Sequence, residues 1–276
     1  MNALLCLVRA LVRGAYLLGL LIAAAMDFRL HGVESGAAGA IRIHRWCRRF
    51  VSAIGVSVEV IGEPPAGGAV VSNHLSYLDI LLYSAVRPFV MVAKSEVRGW
   101  PLLGWLTAQA GTVYVERGGS PATYPAVNYA MAAAYRTGLP VLFFPEGTTT
   151  NASEVLPFRR GLFHSVLHCH VPLRTAALRY SLGESNGSAT VADDVCWWGD
   201  ALLAPHVARL LGLSGLKAQV RFERREVDGL DRFELAENAR ASVEAMVDSL
   251  QASEAVAYQV RHVLPDGPAA RGAVTS

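Results

Sequence analysis

The residues best placed to do chemistry are His74 and Asp79, in the stretch Ser72-Asn73-His74-Leu75-Ser76-Tyr77-Leu78-Asp79. Imidazole titrates near neutral pH, so His74 can take a proton from a reacting hydroxyl as a general base. A carboxylate beside it can hold the ring tautomer and stabilise the imidazolium that forms. Residues five apart do not share a helix face. The two can therefore meet only if His74 lies in a turn and Asp79 in the first turn of the helix that follows. The sequence allows this: an apolar run, Gly68 to Val71, precedes the stretch, and a helical pattern, Ile80 to Val86, follows it. Ser76-x-x-Asp79 reads as a capping box. Of the eight histidines only His74 has an aspartate at this spacing. The plainer reading is that Asp79 caps a helix and His74 is a turn residue.

Three further stretches close strand-like runs with charge. Lys94 is followed by Gly99, Trp100 and Pro101, a cation entering a stiffened turn. Val115-Glu116-Arg117-Gly118-Gly119 sets an arginine beside glycines that let a backbone approach a ligand. Phe144-Pro145-Glu146-Gly147-Thr148-Thr149-Thr150 offers a carboxylate, a glycine turn and hydroxyls, and Phe158-Arg159-Arg160-Gly161 adds two cations. Arg159 and Arg160 open a predicted helix, where positive charge opposes the dipole and hints at an anion. Singly, Lys94 and Arg117 read as solvated charges and Glu146-Gly147 as a turn. Brought to one sheet edge, they surround the His–Asp pair with cations, which suits a phosphorylated substrate with a reacting hydroxyl.

The elements that must carry them alternate. Strand-like runs lie at 56–62, 68–73, 89–94, 111–116, 140–145, 172–180 and 217–227, and helix-like runs at 76–86, 101–110, 121–138, 160–170 and 201–212. This predicts an α/β fold, a central mixed sheet flanked by helices. The last strand has Gln219, Arg221, Glu223 and Arg225 at alternate places and is expected at an edge. A final amphipathic helix is expected over 232–251, then a loose tail. The domain reading is 1–55 membrane-anchoring and interfacial helices, 56–251 a catalytic domain, and 252–276 a tail.

The chain is 52% hydrophobic and 17% charged, with a net charge of +2. That balance gives no reason to expect nucleic acid and points to a membrane surface. Residues 3–26 are apolar apart from Arg9 and Arg13. They read as a membrane anchor with both arginines snorkelling to phosphates, as a signal peptide ending at Ala23-Ala24-Ala25, or as a buried core helix. The anchor is the reading taken. A basic amphipathic segment, about 38–54, reads as interfacial or as packed on the sheet. The four cysteines form no C-x-x-C pair and are expected to be reduced thiols. His164 and His168 are one helical turn apart, but no third metal ligand is evident, and no metal is expected.

Jointly, the blocks resemble the glycerolipid acyltransferase family, of which bacterial lysophosphatidic acid acyltransferase is the type. The His-x4-Asp block is Asn73-His74 through Asp79. Lys94, Pro101, Gly104 and Trp105 match the Lys…Pro-x-x-Gly-Trp block, and Val113 to Arg117 the strand ending in arginine. Residues 144–148 match Phe-Pro-Glu-Gly-Thr, 158–161 match Phe-basic-basic-Gly, and Val171-Pro172 the late Val-Pro. The blocks run in family order over 70–180. The resemblance implies acyl transfer from acyl-CoA or acyl-carrier protein, as co-substrate and with no cofactor, to a lysophospholipid hydroxyl, with 1-acyl-glycerol-3-phosphate as the expected acceptor. It implies His74 and Asp79 as catalytic, and Lys94, Arg117, Glu146, Gly147, Thr148 and Arg159 as substrate-binding. It implies a bilayer as partner, at the inner membrane with the site facing the cytoplasm. One position departs: where the family has arginine after Pro-Glu-Gly-Thr, this chain has Thr149. A lyso-lipid without phosphate, such as lyso-ornithine lipid, is the alternative acceptor. The later Cys196-Trp197-Trp198-Gly199-Asp200 also resembles that bacterial subgroup, its tryptophans reading as packing. A non-catalytic lipid-binding protein and an exported hydrolase are the other readings.

Overall fold

The computed structural model describes residues 3–32, 36–116 and 124–263, with the backbone alone for Tyr124 and for 254–263. Arg117, named above as a substrate-binding residue, lies outside the described residues.

Seven strands form one sheet in the order β1-β7-β6-β2-β5-β3-β4. They are β1 Val56–Ile61, β2 Ala69–Val71, β3 Val90–Lys94, β4 Val113–Val115, β5 Val141–Phe143, β6 Leu173–Ser181 and β7 Leu216–Phe222. Every pair is parallel except β6 with β7. The central strands are short, apolar and buried on both sides, as Ala69, Val70, Val71, Val141, Leu142 and Phe143 show. A parallel strand covered by helices on both faces needs that continuous apolar run.

Because β2, β5, β3 and β4 are mutually parallel, their carboxyl ends fall on one edge. Those ends carry His74, Glu146 to Thr149, Lys94 and Glu116. The connections include α3 Leu78–Val86, α4 Leu103–Gln109 and α5 Tyr124–Tyr135. One face is covered by α2 Ala37–Ile54, α3 and α8 Leu203–Gly212, through residues such as Val51, Leu78, Leu82, Leu210 and Leu211. The other is covered by α5, α6 Phe163–His168 and α9 Arg232–Val263, through Met131, Phe163, Ala239, Val243 and Met246. A short α7, Val191–Asp194, has no counterpart in the predicted elements.

All seven predicted strands are present, with three corrections around them. Strand β7 is interior, between β1 and β6. Its polar side chains have partners across the sheet: Gln219 donates to Glu59 at 2.8 Å, and Arg221 to Ser249 Oγ on α9 at 2.5 Å. Alternating polarity therefore marks cross-strand and helix contacts here, not a free edge. Helix α9 continues to Val263, past the predicted stop at 251. No proline or glycine interrupts the chain between Gly229 and Pro265. Helix α6 begins at Phe163, so Arg159 and Arg160 precede it and the dipole argument does not apply to them.

The N-terminal helix α1, Ala3–His31, is one continuous helix of 29 residues. One side packs on the domain: Ala24 and Phe28 join Trp46, Cys47, Phe50 and Leu106 in a small core. Trp46 Nε1 donates to Asp27 at 2.9 Å. Arg9 donates to the Gly212 carbonyl at 2.6 Å, and Arg13 to those of Leu211 and Leu213 at 3.0 and 2.6 Å. These arginines cap the carboxyl end of α8, whose last carbonyls lack helical partners. They do not reach outward for lipid phosphates. The opposite side of α1 exposes Leu4, Leu7, Leu11, Leu18, Ile22 and Met26.

Helix α2 meets α4 closely at Gly39, where a Cβ would overlap the Gln109 carbonyl oxygen. Gly39→Ala gains up to about 1 kcal/mol of helix propensity and costs about 1–3 kcal/mol of overpacking. The overlap is with rigid backbone, so the upper part of that cost, about 2–3 kcal/mol, applies and overpacking wins. A thermal melt should show net destabilisation of about 1–2 kcal/mol, and an unchanged melting temperature would disprove the close approach.

Candidate active site

His74 lies in the turn after β2 and Asp79 in the first turn of α3, as the spacing required. The His74 Nδ1 to Asp79 Oδ2 distance is 2.7 Å. Asp79 is fully buried and the His74 side chain is 13% exposed. The same Oδ2 accepts the Leu75 and Ser76 N–H groups at 2.6 and 3.0 Å, and the Tyr180 hydroxyl donates to Oδ1 at 2.6 Å. A carboxylate accepts only, so the imidazole carries its proton on Nδ1 and leaves Nε2 for the cavity. The ring stacks on Phe144 with centroids 4.0 Å apart and planes 9° apart. The capping box forms by half: Asp79 accepts from the Ser76 N–H, but the buried Ser76 Oγ has no hydrogen-bond partner among the described residues.

The turn is braced from both neighbouring strands. Asn73 pairs with the Leu178 backbone through both its amide atoms, at 2.9 and 2.8 Å, continuing the β2–β6 ladder by a side chain. On the β5 side Glu146 Oε1 accepts the His74 N–H at 2.7 Å, and the Thr150 N–H donates to the His74 carbonyl at 2.9 Å. The Trp197 N–H donates to the Leu75 carbonyl at 2.9 Å. Behind it His206, fully buried, donates from Nε2 to the Cys196 carbonyl and accepts the Tyr77 hydroxyl at Nδ1. Burial holds the His206 imidazole below its usual range, in keeping with a neutral ring.

A cavity of about 800 Å³ opens over His74. Its wall includes Lys94, Gly147, Thr148 and Arg159, all named from the sequence, with Asp79 and Glu146 set behind it. Gly147 has φ 72°, and its missing Cβ makes room for the Arg159 side chain. The sequence reading missed Glu116, His164 and Arg232 and assigned Trp197 to packing; all four reach this wall. Glu116 sits next to a residue that was chosen. Arg232 lies far along the chain and arrives only because α9 folds back on the sheet, which no local pattern announces. The imidazoles of His164 and His168 stack 5.9 Å apart. Among the described residues no group of three or more His, Cys, Asp and Glu could hold a metal ion.

Glu146, expected to bind substrate, lies behind the cavity wall. It is 3% exposed, and its second oxygen, Oε2, accepts the Leu156 N–H at 3.0 Å. Burial pushes its carboxyl up to about 7, against the pull of those two N–H donors.

An imidazole oriented by a buried carboxylate, over a wide cavity with cations on its wall, defines an enzyme that can make a substrate hydroxyl nucleophilic. A family model described as "Acyltransferase" matches residues 58–179. The chain is 34% identical over 247 residues to lyso-ornithine lipid O-acyltransferase of Pseudomonas aeruginosa, covering 85% of this chain and 92% of that one. It is 31% identical to 1-acyl-sn-glycerol-3-phosphate acyltransferase of Neisseria meningitidis serogroup B, covering 72% and 78%. The fold is similar to the crystal structure of 1-acyl-sn-glycerophosphate (LPA) acyltransferase, PlsC, from Thermotoga maritima. The TM-score is 0.67 at 17% identity, covering 91% of this chain and 98% of that one. The chain belongs to this acyltransferase family.

Proposed function

We propose that the protein moves a fatty acyl group from a thioester, acyl-CoA or acyl-carrier protein, to the free hydroxyl of a lyso-lipid at a membrane surface. The observation that carries this reading is the 2.7 Å contact of His74 with buried Asp79, with the ring on the cavity wall. His74 Nε2 takes the hydroxyl proton as the oxygen attacks the thioester carbonyl. The tetrahedral intermediate collapses, the C–S bond breaks, and the imidazolium returns the proton to the leaving thiolate. Asp79 stabilises the imidazolium meanwhile. The sequence has one Gly-x-Ser-x-Gly match, Gly183 to Gly187, but its Ser185 is exposed, pairs with the Ser214 hydroxyl at 2.9 Å and lies off the cavity wall, which favours direct transfer over a seryl intermediate.

For the acceptor we favour a zwitterionic headgroup of the lyso-ornithine lipid kind, with a carboxylate and an ammonium. The cavity wall carries Lys94, Arg159 and Arg232 but also the Glu116 carboxylate, and Thr149 stands where the family has arginine. A phosphate site gains nothing from a carboxylate, whereas an ammonium does. The relative in Pseudomonas aeruginosa supports the same choice. The second reading, 1-acyl-glycerol-3-phosphate, is favoured by the three cations and by the Neisseria relative. A panel of purified lyso-lipids with one labelled acyl-CoA and one acyl-carrier protein tests both. Lyso-ornithine lipid should give the highest kcat/KM. Glu116→Lys should lower that value and raise the one for 1-acyl-glycerol-3-phosphate, each by about three- to tenfold. Unchanged ratios would remove Glu116 from recognition.

The exposed apolar side of α1, with mean hydropathy 1.9 over its best 18 residues, supports a helix that lies in one leaflet. Its packing on α2 and α8 favours this over a free crossing. A cytosolic thioester donor would put the site on the cytoplasmic side.

A further inference from the structure

We infer that Glu146 is a positioning residue, whose carboxylate fixes the backbone of the His74 turn and does not take up the acceptor. This rests on the proposed role of His74 as base. The pairing of β2 with β5 ends at Val71 and Phe143. Three residues later the chain must still place one imidazole over a cavity, without a ladder to hold it. The loop after β5 supplies the missing ties. Glu146 Oε1 accepts the His74 N–H, and Thr150 donates to the His74 carbonyl, so both backbone groups of that residue are held from one side. The other Glu146 oxygen is taken by the Leu156 N–H. Pro145, Gly147, Thr148 and Thr149 all reach the cavity wall, while Glu146 between them points behind it. A group with both oxygens bound to backbone and 3% exposure has little left for a substrate.

The residue type follows from the geometry. Two N–H donors converge on one side chain, and a carboxylate accepts at both oxygens. Glutamine would turn its NH2 group on one of them, and aspartate is one methylene too short to keep both contacts. The charged groups that act on Glu146 are Asp79 in the turn and Arg240 from α9, while His74 and Leu156 act through their backbone N–H groups. Burial, helped by the Asp79 charge and opposed by the two N–H donors and Arg240, raises its carboxyl to about 7, so its ionisation is open to experiment near neutral pH. A base misplaced by about 1 Å loses rate on the order of a hundredfold. An acceptor ligand, by contrast, would act on KM.

The test compares the full-length wild type, Glu146→Gln and His74→Ala in detergent–lipid micelles, with lyso-ornithine lipid and an acyl-CoA. Glu146→Gln should lower kcat about 30- to 100-fold and leave the acceptor KM within about threefold. A raised KM with kcat preserved, or no change in either, overturns the proposal. If Glu146→Gln does not fold, the wild type decides. The carboxylate and ammonium of this acceptor do not titrate between about pH 6 and 8. Acceptor KM should stay flat there, and a KM that falls as Glu146 ionises would mark it as a ligand and sink the idea. His74→Ala separates the two layers. If it keeps its rate, the base role fails; if it is inactive while Glu146→Gln is unaffected, only the brace fails.

Discussion

His74→Ala should lower kcat by about a hundred- to ten-thousandfold, the range expected when a positioned general base is lost. The effect should fall on kcat and kcat/KM alike, because the imidazole acts as the hydroxyl proton leaves and has little to hold in the ground state. The two titratable groups nearest in kind are poorly equipped to replace it. His164 reaches the same wall, but its ring stacks on His168 and has no carboxylate partner among the described residues. Glu146 has both oxygens committed to backbone donors. The fold should survive, because the ring contributes one stacked face on Phe144 and the backbone ties of residue 74 do not depend on its side chain. Far-UV circular dichroism and a thermal melt should match the wild type while thioester release stops. A variant that keeps a tenth of the wild-type rate would end the base role.

The sequence pattern reached the fold and the heart of the site for the same reason. The central parallel strands, buried on both faces, have to be short apolar runs, so they were visible, and the polar residues that interrupt them had to sit at their ends. His74, Lys94 and Glu146 to Thr148 were found as strand ends for that reason. What local pattern could not give was the depth of each side chain. Glu146 and Thr148 are two residues apart, yet one is buried behind the wall and the other lies on it. Gly147, at positive φ, reverses the chain between them. Arg9 and Arg13 were misjudged on similar grounds. A basic residue in an apolar helix looks the same whether it seeks a phosphate or a helix carboxyl end, and only the placement of α8 decides. Arg232 comes from a segment with no motif of its own and Trp197 from one whose tryptophans read as packing, and long-range packing brings both to the wall.

Asp79 gives the sharpest separation of charge from geometry. Its Oδ2 receives three donors that cannot turn away, the His74 Nδ1–H and the Leu75 and Ser76 N–H groups. Its Oδ1 receives one that can rotate, the Tyr180 hydroxyl. Asp79→Asn should therefore seat its carbonyl oxygen at the Oδ2 position and donate its NH2 to the Tyr180 oxygen. The three N–H donors stay satisfied, the Tyr180 O–H must turn to another acceptor, and His74 keeps its proton on Nδ1. What disappears is the negative charge opposite the imidazolium. At an effective dielectric constant of about 20 that attraction is on the order of 4 kcal/mol, or a hundred- to a thousandfold in kcat. Nitrogen-15 spectra of histidine-labelled protein should show the tautomer unchanged, and acceptor KM should hold. Asp79→Ala should behave differently. It leaves two backbone N–H groups, an imidazole N–H and a tyrosine hydroxyl without their acceptor in a buried site. Stability should fall by about 3–5 kcal/mol, as for other broken buried pairs. If Asp79→Asn proved as unstable as Asp79→Ala, the carboxylate would be a structural cap first. If Asp79→Asn kept full activity, charge opposite the ring would have no part in the reaction.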